Sequence, residues 1–396
     1  MRSASAKERN PTVNPNSSAL VALTAILAAA FFVGSLRVWP KLAKRSADHL
    51  AGRIGLLLAT QLSMLAAFAA VVNKQFDFYT NWDDLLGIVG TAAAVTGTTD
   101  TGTAASVIGP QITVHGSGGA AVVGGSDPSR YGEIQYVVIH GLRTGLSEGA
   151  QVYLPPEYFQ KSYAKTQFPA SIVIAGYPGT ADELSSKLGY PKHLLTDIHA
   201  KQAVPMVLIM VSPEVVGGRD TECTDVPGGP QTETYLAQDV PTAITTTYRV
   251  MTWAKGWGLT GVSTGGYCAL KVAMMNSDRF AAAAAISGYF GALQDHTTGT
   301  LYAGSQDVRN ENDLLWRIEH LPSPPISALL TTSKDGEENY QPTMQFAALA
   351  KSPMLVNTLI EPQGGHNFAT WNLEIGPSLA WLSTHLATPR LAAAPN

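Results

Sequence analysis

The stretch WGLTGVSTGGYCALKVAMM, residues 257–275, holds the sharpest chemical signal in the chain. Its centre is Gly261-Val262-Ser263-Thr264-Gly265-Gly266. An apolar strand pattern, WGLTGV, leads in, and a helix pattern, GGYCALKVAMM, leads out. A G-x-S-x-G turn between strand and helix is the context of a nucleophile elbow, which presents a serine hydroxyl at the edge of a sheet. Gly261 and Gly265 keep bulk away from the tight turn. The N–H of Thr264 falls at the helix start, where it can bind an oxyanion.

Outward from this turn, residues 131–388 read as one catalytic domain. GEIQYVVIHG and GAQVYLPPEYF pair as strands, followed by SIVIAGYPG, VPMVLIMVS, FAAAAAISGYF, ISALLTTSKDGE and MLVNTLIEPQGGH. Helical patterns such as ETYLAQDVPTAITTTYRV lie between several of them. Apolar strands alternating with amphipathic helices predict an α/β fold with a mostly parallel central sheet covered on both faces. Function in such sheets gathers at the carboxyl ends of the strands.

A serine nucleophile needs a base and an acid, met in the order Ser, acid, His. Of nine histidines, only His296, His320, His366 and His385 follow Ser263. His366 sits in EPQGGHNFATW, in a glycine-opened loop after the last strand pattern, and is the candidate base. His320 and His385 lie in helical patterns, and His296 precedes the acid strand. The acid is expected where ISALLTTSKDGEENY ends: Asp335, the first carboxylate after the apolar run, fits best, with Glu337 and Glu338 as alternatives. A second oxyanion donor is expected from the Tyr177 backbone N–H in SIVIAGYPG, since Pro178 has none. His115-Gly116 and His140-Gly141 come before the strand after which this donor is expected and are set aside for this role.

Residues from about 131 to 386 resemble the "Putative esterase" branch of the α/β-hydrolases, which includes S-formylglutathione hydrolase, enterochelin esterase and the mycobacterial mycolyltransferases. The resemblance rests on VYLPPEY at 152–158, on GVSTGGYCALKVAMMNSDRFAAAAAISGYF at 261–290 and on GGHNFATWN at 364–372. It implies a Ser263, Asp335, His366 triad and acyl-ester chemistry, with no metal or organic cofactor. A membrane segment and a glycine-rich stretch before the domain depart from the simplest members and favour the surface esterase and acyltransferase side, with a lipid or cell-envelope glycolipid as substrate. Two other functions fit the same chain less well. A non-catalytic surface-binding protein would not need an intact Ser, acid and His. A serine peptidase would need a lid or propeller to select peptides, and none is visible.

The 396 residues allow one large domain and an appendage. Only 14% are charged and 45% are hydrophobic, whereas roughly 25% charged is usual for soluble proteins. Two uncharged runs explain part of the deficit: Ser18 to Leu36 and Ile54 to Val72, each close to the length that crosses a bilayer. They predict a transmembrane hairpin over 18–72, after a tail at 1–17; a cleaved signal peptide is the simpler alternative for the first run alone. The loop between the runs carries Arg37, Lys41, Lys44, Arg45 and Arg53, against Arg2, Lys7 and Arg9 before them. Basic loops stay cytoplasmic, so the domain is expected outside the cytoplasm. Residues 73–130 read as an aromatic juxtamembrane stretch and a Gly/Thr/Ser-rich linker or edge hairpin, and 389–396 as a tail.

The net charge of -4 gives no reason to expect nucleic-acid binding. The two cysteines, Cys223 and Cys268, lack metal-site spacing and can form a disulfide in an oxidising compartment. Cys268 lies in the second turn of the elbow helix, and Cys223 in a loop expected at the same end of the sheet. The alternative is two unpaired thiols, with Cys268 buried as a small hydrophobe.

Overall fold

The computed structural model describes residues 15, 17–44, 46–76, 111–216 and 219–391. The aromatics Phe78, Tyr79 and Trp82, the glycine-rich run up to residue 110, and the basic residues Arg2, Lys7, Arg9 and Arg45 lie outside them. The chain divides into an N-terminal helical unit and a larger sheet-bearing unit.

The helical unit holds α1 (Ser18–Val38) and α2 (Ala47–Phe76), joined by a short 3-10 turn at Trp39–Leu42. Ser17 caps α1, its side chain accepting the Leu20 N–H. The second helix runs four residues past the expected end at Val72. The two helices are antiparallel: Lys74, near the end of α2, donates to Ser18 at the start of α1. Near the other end of α1, the hydroxyls of Ser35 and Thr60 lie 2.8 Å apart. Both helices are long and apolar enough to cross a membrane, and the apolar window is 0% buried in α1 and 6% buried in α2. A core helix of a soluble protein would bury that face. Ile26, Leu62, Leu65 and Phe68 are each more than 60% exposed, a surface that lipid tolerates and water penalises at roughly 25 cal/mol per Å². The pair is consistent with a transmembrane hairpin.

The second unit is built on a nine-stranded sheet in the order β1-β2-β3-β6-β5-β7-β8-β9-β10. Its strands are β1 (Ile112–Gly118), β2 (Glu133–His140), β3 (Ser147–Leu154), β5 (Ala170–Ile174), β6 (Val207–Val211), β7 (Trp257–Val262), β8 (Ala282–Ile286), β9 (Ser327–Asp335) and β10 (Leu355–Gln363). The first three are antiparallel, and β3 meets β6 antiparallel. From β6 to β10 every pair is parallel. The helices used below are α3 (Tyr190–His199), α4 (Val240–Thr247), α5 (Thr264–Met275), α6 (Leu314–His320), α7 (Tyr340–Leu349) and α8 (Phe368–His385). This is the mostly parallel sheet of an α/β-hydrolase.

The sheet begins earlier than the sequence pattern implied. Residues 112–118, read above as part of a linker or edge hairpin, form the edge strand β1 against β2, with a register shift between Val114 and Gly116. His115 and Gly116 therefore sit on the sheet edge. A separate two-stranded sheet pairs Arg390–Leu391 (β11) with Thr166–Gln167 (β4).

The central strands are buried on both faces. All five residues of β5, β6 and β8 and all six of β7 are buried. Strand β8 reads AAAAI, a weak strand former by propensity. Close packing explains it. A Cβ on Gly266 of α5 would lie 2.8 Å from the Ile286 carbonyl, so the helix rides nearly on the backbone of β8. At this end of β8 the approach leaves no room for a side chain on Gly266, and burial between β7 and β9 overrides propensity.

Candidate active site

Strand β7 delivers Ser263 into a sharp turn with φ 57° and ψ −123°, and α5 starts at the next residue. A non-glycine residue there is strained by of order 1–3 kcal/mol, and such strain gathers at functional sites. The two flanking glycines are required by contact. A Cβ on Gly261 would meet the Gly265 and Ile174 backbones at 2.5 Å, and one on Gly265 would lie 2.0 Å from the Ile174 carbonyl. The Ser263 N–H donates to the Ile286 carbonyl (2.9 Å), tying the turn to β8.

The Ser263 hydroxyl lies 2.7 Å from His366 Nε2. His366 stands in the loop between β10 and α8, its ring edge-on to Trp371 at 5.1 Å. A serine donating to Nε2 requires the tautomer with its proton on Nδ1. The carboxylate facing Nδ1 is Glu337, whose Oε1 is 3.6 Å away, an ion-pair distance rather than a closed hydrogen bond.

The structure thus brings the alternative carboxylate, Glu337, to His366 in place of the first-choice Asp335. Asp335 is the last residue of β9, with its side chain exposed, and its carbonyl accepts the Gly364 N–H. The chain reverses at Gly336, where φ is +105° and a Cβ would lie 1.9 Å from the Gly364 carbonyl. That reversal turns Glu337 back over the strand end. Its Oε2 accepts the Ser333 N–H (2.9 Å) and the Thr332 hydroxyl (3.1 Å). Burial pushes the Glu337 carboxyl up, but the facing His366 imidazole, the nearby Ser287 hydroxyl and the Ser333 N–H together outweigh it and hold the group below the usual glutamate range. Glu338 is exposed.

Of the two residues expected to supply oxyanion donors, Thr264 directly follows the serine and Tyr177 lies one residue beyond Gly176, which borders it. Thr264 is the first residue of α5, and backbone N–H groups in a first turn have no acceptor within the helix. Tyr177 follows Gly176, where a Cβ would lie 3.2 Å from Ser263 Cβ. The loop after β5 thus runs against the nucleophile.

A buried polar cluster that the sequence reading did not single out adjoins the elbow. The Tyr289 hydroxyl donates to Glu222 (2.5 Å to Oε2) and lies 3.3 Å from the Thr264 hydroxyl. Burial, reinforced by Asp220, pushes the Glu222 carboxyl up to about 8. Fully buried Lys271 donates to the Glu222 carbonyl, Thr224 and Asn312, and burial lowers its ammonium pKa to about 8. Beside it Cys223 and Cys268 are joined, with Cα atoms 5.7 Å apart and a sequence separation of 45. The bond fastens the Glu222 loop, where Glu222 and Cys223 both have positive φ, to the elbow helix. In the chain-entropy model a loop of this size contributes about 4 kcal/mol.

The profile of the family described as "Putative esterase" matches residues 143–382, more than half of the chain. The chain belongs to this family. Membership supports a general ester-hydrolase function. An uncharacterized protein of Corynebacterium glutamicum is 24% identical over 246 residues, 59% of this chain and 56% of that protein. The chain thus spans little more than half the length of this curated relative. Among solved structures, a ferulic acid esterase superposes with a TM-score of 0.55 at 16% identity, covering 64% of this chain and 98% of its own. An S-formylglutathione hydrolase from Agrobacterium tumefaciens does so with a TM-score of 0.55 at 14% identity, covering 69% and 99%. A fluorophosphonate-binding serine hydrolase of Staphylococcus aureus reaches 0.52 at 16% identity, covering 64% and 98%. At these identities the likeness is one of fold.

Proposed function

We propose that this family member is a membrane-anchored serine esterase or acyltransferase working through Ser263, His366 and Glu337 and a covalent acyl-enzyme. The observation that carries the reading is the 2.7 Å contact between Ser263 Oγ and His366 Nε2 on a strained strand-to-helix turn. His366 takes the serine proton as Ser263 attacks an ester carbonyl. The N–H groups of Thr264 and Tyr177 receive the oxyanion, and one such donor is typically worth about 3 kcal/mol of barrier. Protonated His366 then returns its proton to the leaving alkoxide. Water, or an acceptor alcohol such as a sugar or lipid hydroxyl, attacks the acyl-enzyme in the second step, with His366 again the base. Glu337 fixes the imidazole tautomer and stabilises the imidazolium. The triad chemistry itself calls for no metal or cofactor.

The test is a panel of p-nitrophenyl esters of rising acyl length, assayed with and without a sugar acceptor, alongside labelling by a fluorophosphonate probe. Ester turnover and labelling at Ser263 are the expected results. A chain that neither labels nor hydrolyses any ester is a surface-binding protein on a hydrolase scaffold.

The topology is part of the same proposal. Arg37, Lys41, Lys44 and Arg53 cluster about the hairpin turn, which supports a cytoplasmic turn and an extracytoplasmic domain. A reporter fused after Phe76 is expected to be active only if it works outside the cytoplasm, and one inserted within residues 40–50 only if it works inside. The opposite labelling pattern sinks this orientation.

A further inference from the structure

The Thr264 N–H belongs to the peptide that joins Ser263 to α5. Such a donor lowers the barrier only when it is aimed before charge develops on the substrate oxygen. One end of this peptide is fixed by the helix backbone: the Ser263 carbonyl accepts the Gly266 N–H (2.9 Å) and the Tyr267 N–H (3.1 Å). The other end is Thr264 itself, a buried residue whose hydroxyl lies 3.3 Å from that of Tyr289.

Tyr289 follows the end of β8 by three residues and is seated from two sides. Its ring stacks on Tyr267 of α5, with centroids 4.8 Å apart and planes 14° off parallel. Its hydroxyl meets both carboxyl oxygens of Glu222, at 2.5 and 2.7 Å. Glu222 is fixed in turn. Its φ of 51° is a conformation that a non-glycine residue keeps only with outside support. Its N–H donates to Asp220 Oδ1 (2.8 Å), and its carbonyl accepts from Lys271 Nζ (2.5 Å). The next residue, Cys223, is bonded to Cys268. Lys271 and Cys268 both lie on α5, the helix that Thr264 begins. The contacts therefore close on themselves: Thr264 to Tyr289, Tyr289 to Glu222, and the Glu222 loop back to α5. A buried tyrosine hydroxyl needs one polar partner, and Glu222 supplies it. The second approach, to Thr264, is the one that bears on the chemistry.

We propose that Tyr289, seated by Glu222, is a positioning residue for the oxyanion donor at Thr264: it holds the Thr264 side chain, and with it the N–H, in the orientation that receives the charge. This rests on the Ser263–His366 acyl-transfer reading with Thr264 as a donor. Loss of the contact leaves the N–H present but less well aimed. Stabilisation of the transition state then falls while ground-state binding of the ester is kept.

The experiment uses the full chain in detergent and compares wild type, Tyr289→Phe, Thr264→Val and the double variant. Tyr289→Phe keeps the ring on Tyr267 and removes the hydroxyl. Thr264→Val keeps the branched shape and the backbone N–H and removes the other hydroxyl. Fluorophosphonate labelling carried to completion counts the active sites, so that rates refer to folded enzyme. Values of kcat and KM on a p-nitrophenyl ester are read beside the inhibition constant of an alkyl trifluoromethyl ketone. In the ketone adduct Ser263 Oγ bonds to the carbonyl carbon, the serine proton passes to His366, and the carbonyl electron pair becomes an oxyanion. Each single variant is expected to lose about tenfold in kcat with KM unchanged, and about tenfold in affinity for the ketone. The double variant is expected to lose about tenfold as well, because both changes break one contact. Tyr289→Phe within about twofold of wild type overturns the proposal, as do losses that multiply to about a hundredfold in the double variant. A fall in kcat with ketone affinity unchanged overturns it too. If Tyr289→Phe does not fold, Thr264→Val against the ketone still decides. A wild-type chain that takes up no probe and turns over no ester overturns the acyl-transfer reading, and this one with it.

Discussion

Ser263→Ala and His366→Ala are each expected to abolish ester turnover, lowering kcat by about a million-fold while the protein stays folded. The size follows from the chemistry. Without Oγ there is no nucleophile and no acyl-enzyme. Without the imidazole, Ser263 keeps its proton at neutral pH and the leaving alkoxide has no acid. The two losses should overlap rather than add, because both residues serve one step, so the double variant should be little worse than either single one. Neither change threatens the fold. Ser263 keeps its backbone bond to Ile286 when the hydroxyl is removed, and His366 lies in an exposed loop. The Ala side chain is no worse than Ser at φ 57°, since both carry a Cβ. The measurement is steady-state kinetics beside a thermal melt, with probe labelling lost in Ser263→Ala. Turnover near wild type in either variant would remove the triad.

Glu337→Gln is expected to lower kcat by about ten thousand-fold, and Asp335→Asn to stay within about threefold of wild type. A glutamine amide can accept from Nδ1–H but cannot stabilise the imidazolium. Its NH2 group can also turn toward the ring and impose the wrong tautomer. Asp335 is exposed at the end of β9, and its backbone carbonyl accepts the Gly364 N–H. Its side-chain charge is thus remote from the imidazole's orientation. The discriminating result is the contrast between the two variants under one assay. If Asp335→Asn proves the damaging change, the carboxylate that serves His366 is not the one the 3.6 Å geometry points to.

Much of this could be read from the chain itself. The turn at Ser263 was legible because strand, tight turn and helix leave three local signatures in sequence: β-branched and apolar residues, close-set glycines, and a 3.6-residue period. His366 was legible by chain order and by the glycines that open its loop. The two membrane-length helices were legible from uncharged runs alone, because lipid imposes a length and a composition without reference to any partner. The parallel sheet followed from apolar strands alternating with helices.

Other features depended on contacts distant in sequence. Asp335 and Glu337 differ by two residues, and which one faces His366 depends on the reversal at Gly336 against Gly364, set by the pairing of β9 with β10. The strand at 112–118 has a glycine-rich, largely exposed sequence; it forms because β2 offers a free edge. The AAAAI strand is held by parallel pairing with β7 on one side and β9 on the other. The meeting of Cys223 with Cys268, and of Tyr289 with Glu222 and Thr264, joins elements 45, 67 and 25 residues apart. Local pattern fixes where chemistry can be presented, whereas the choice among equivalent carboxylates is made by backbone reversals and strand pairings that become defined only when the whole sheet closes.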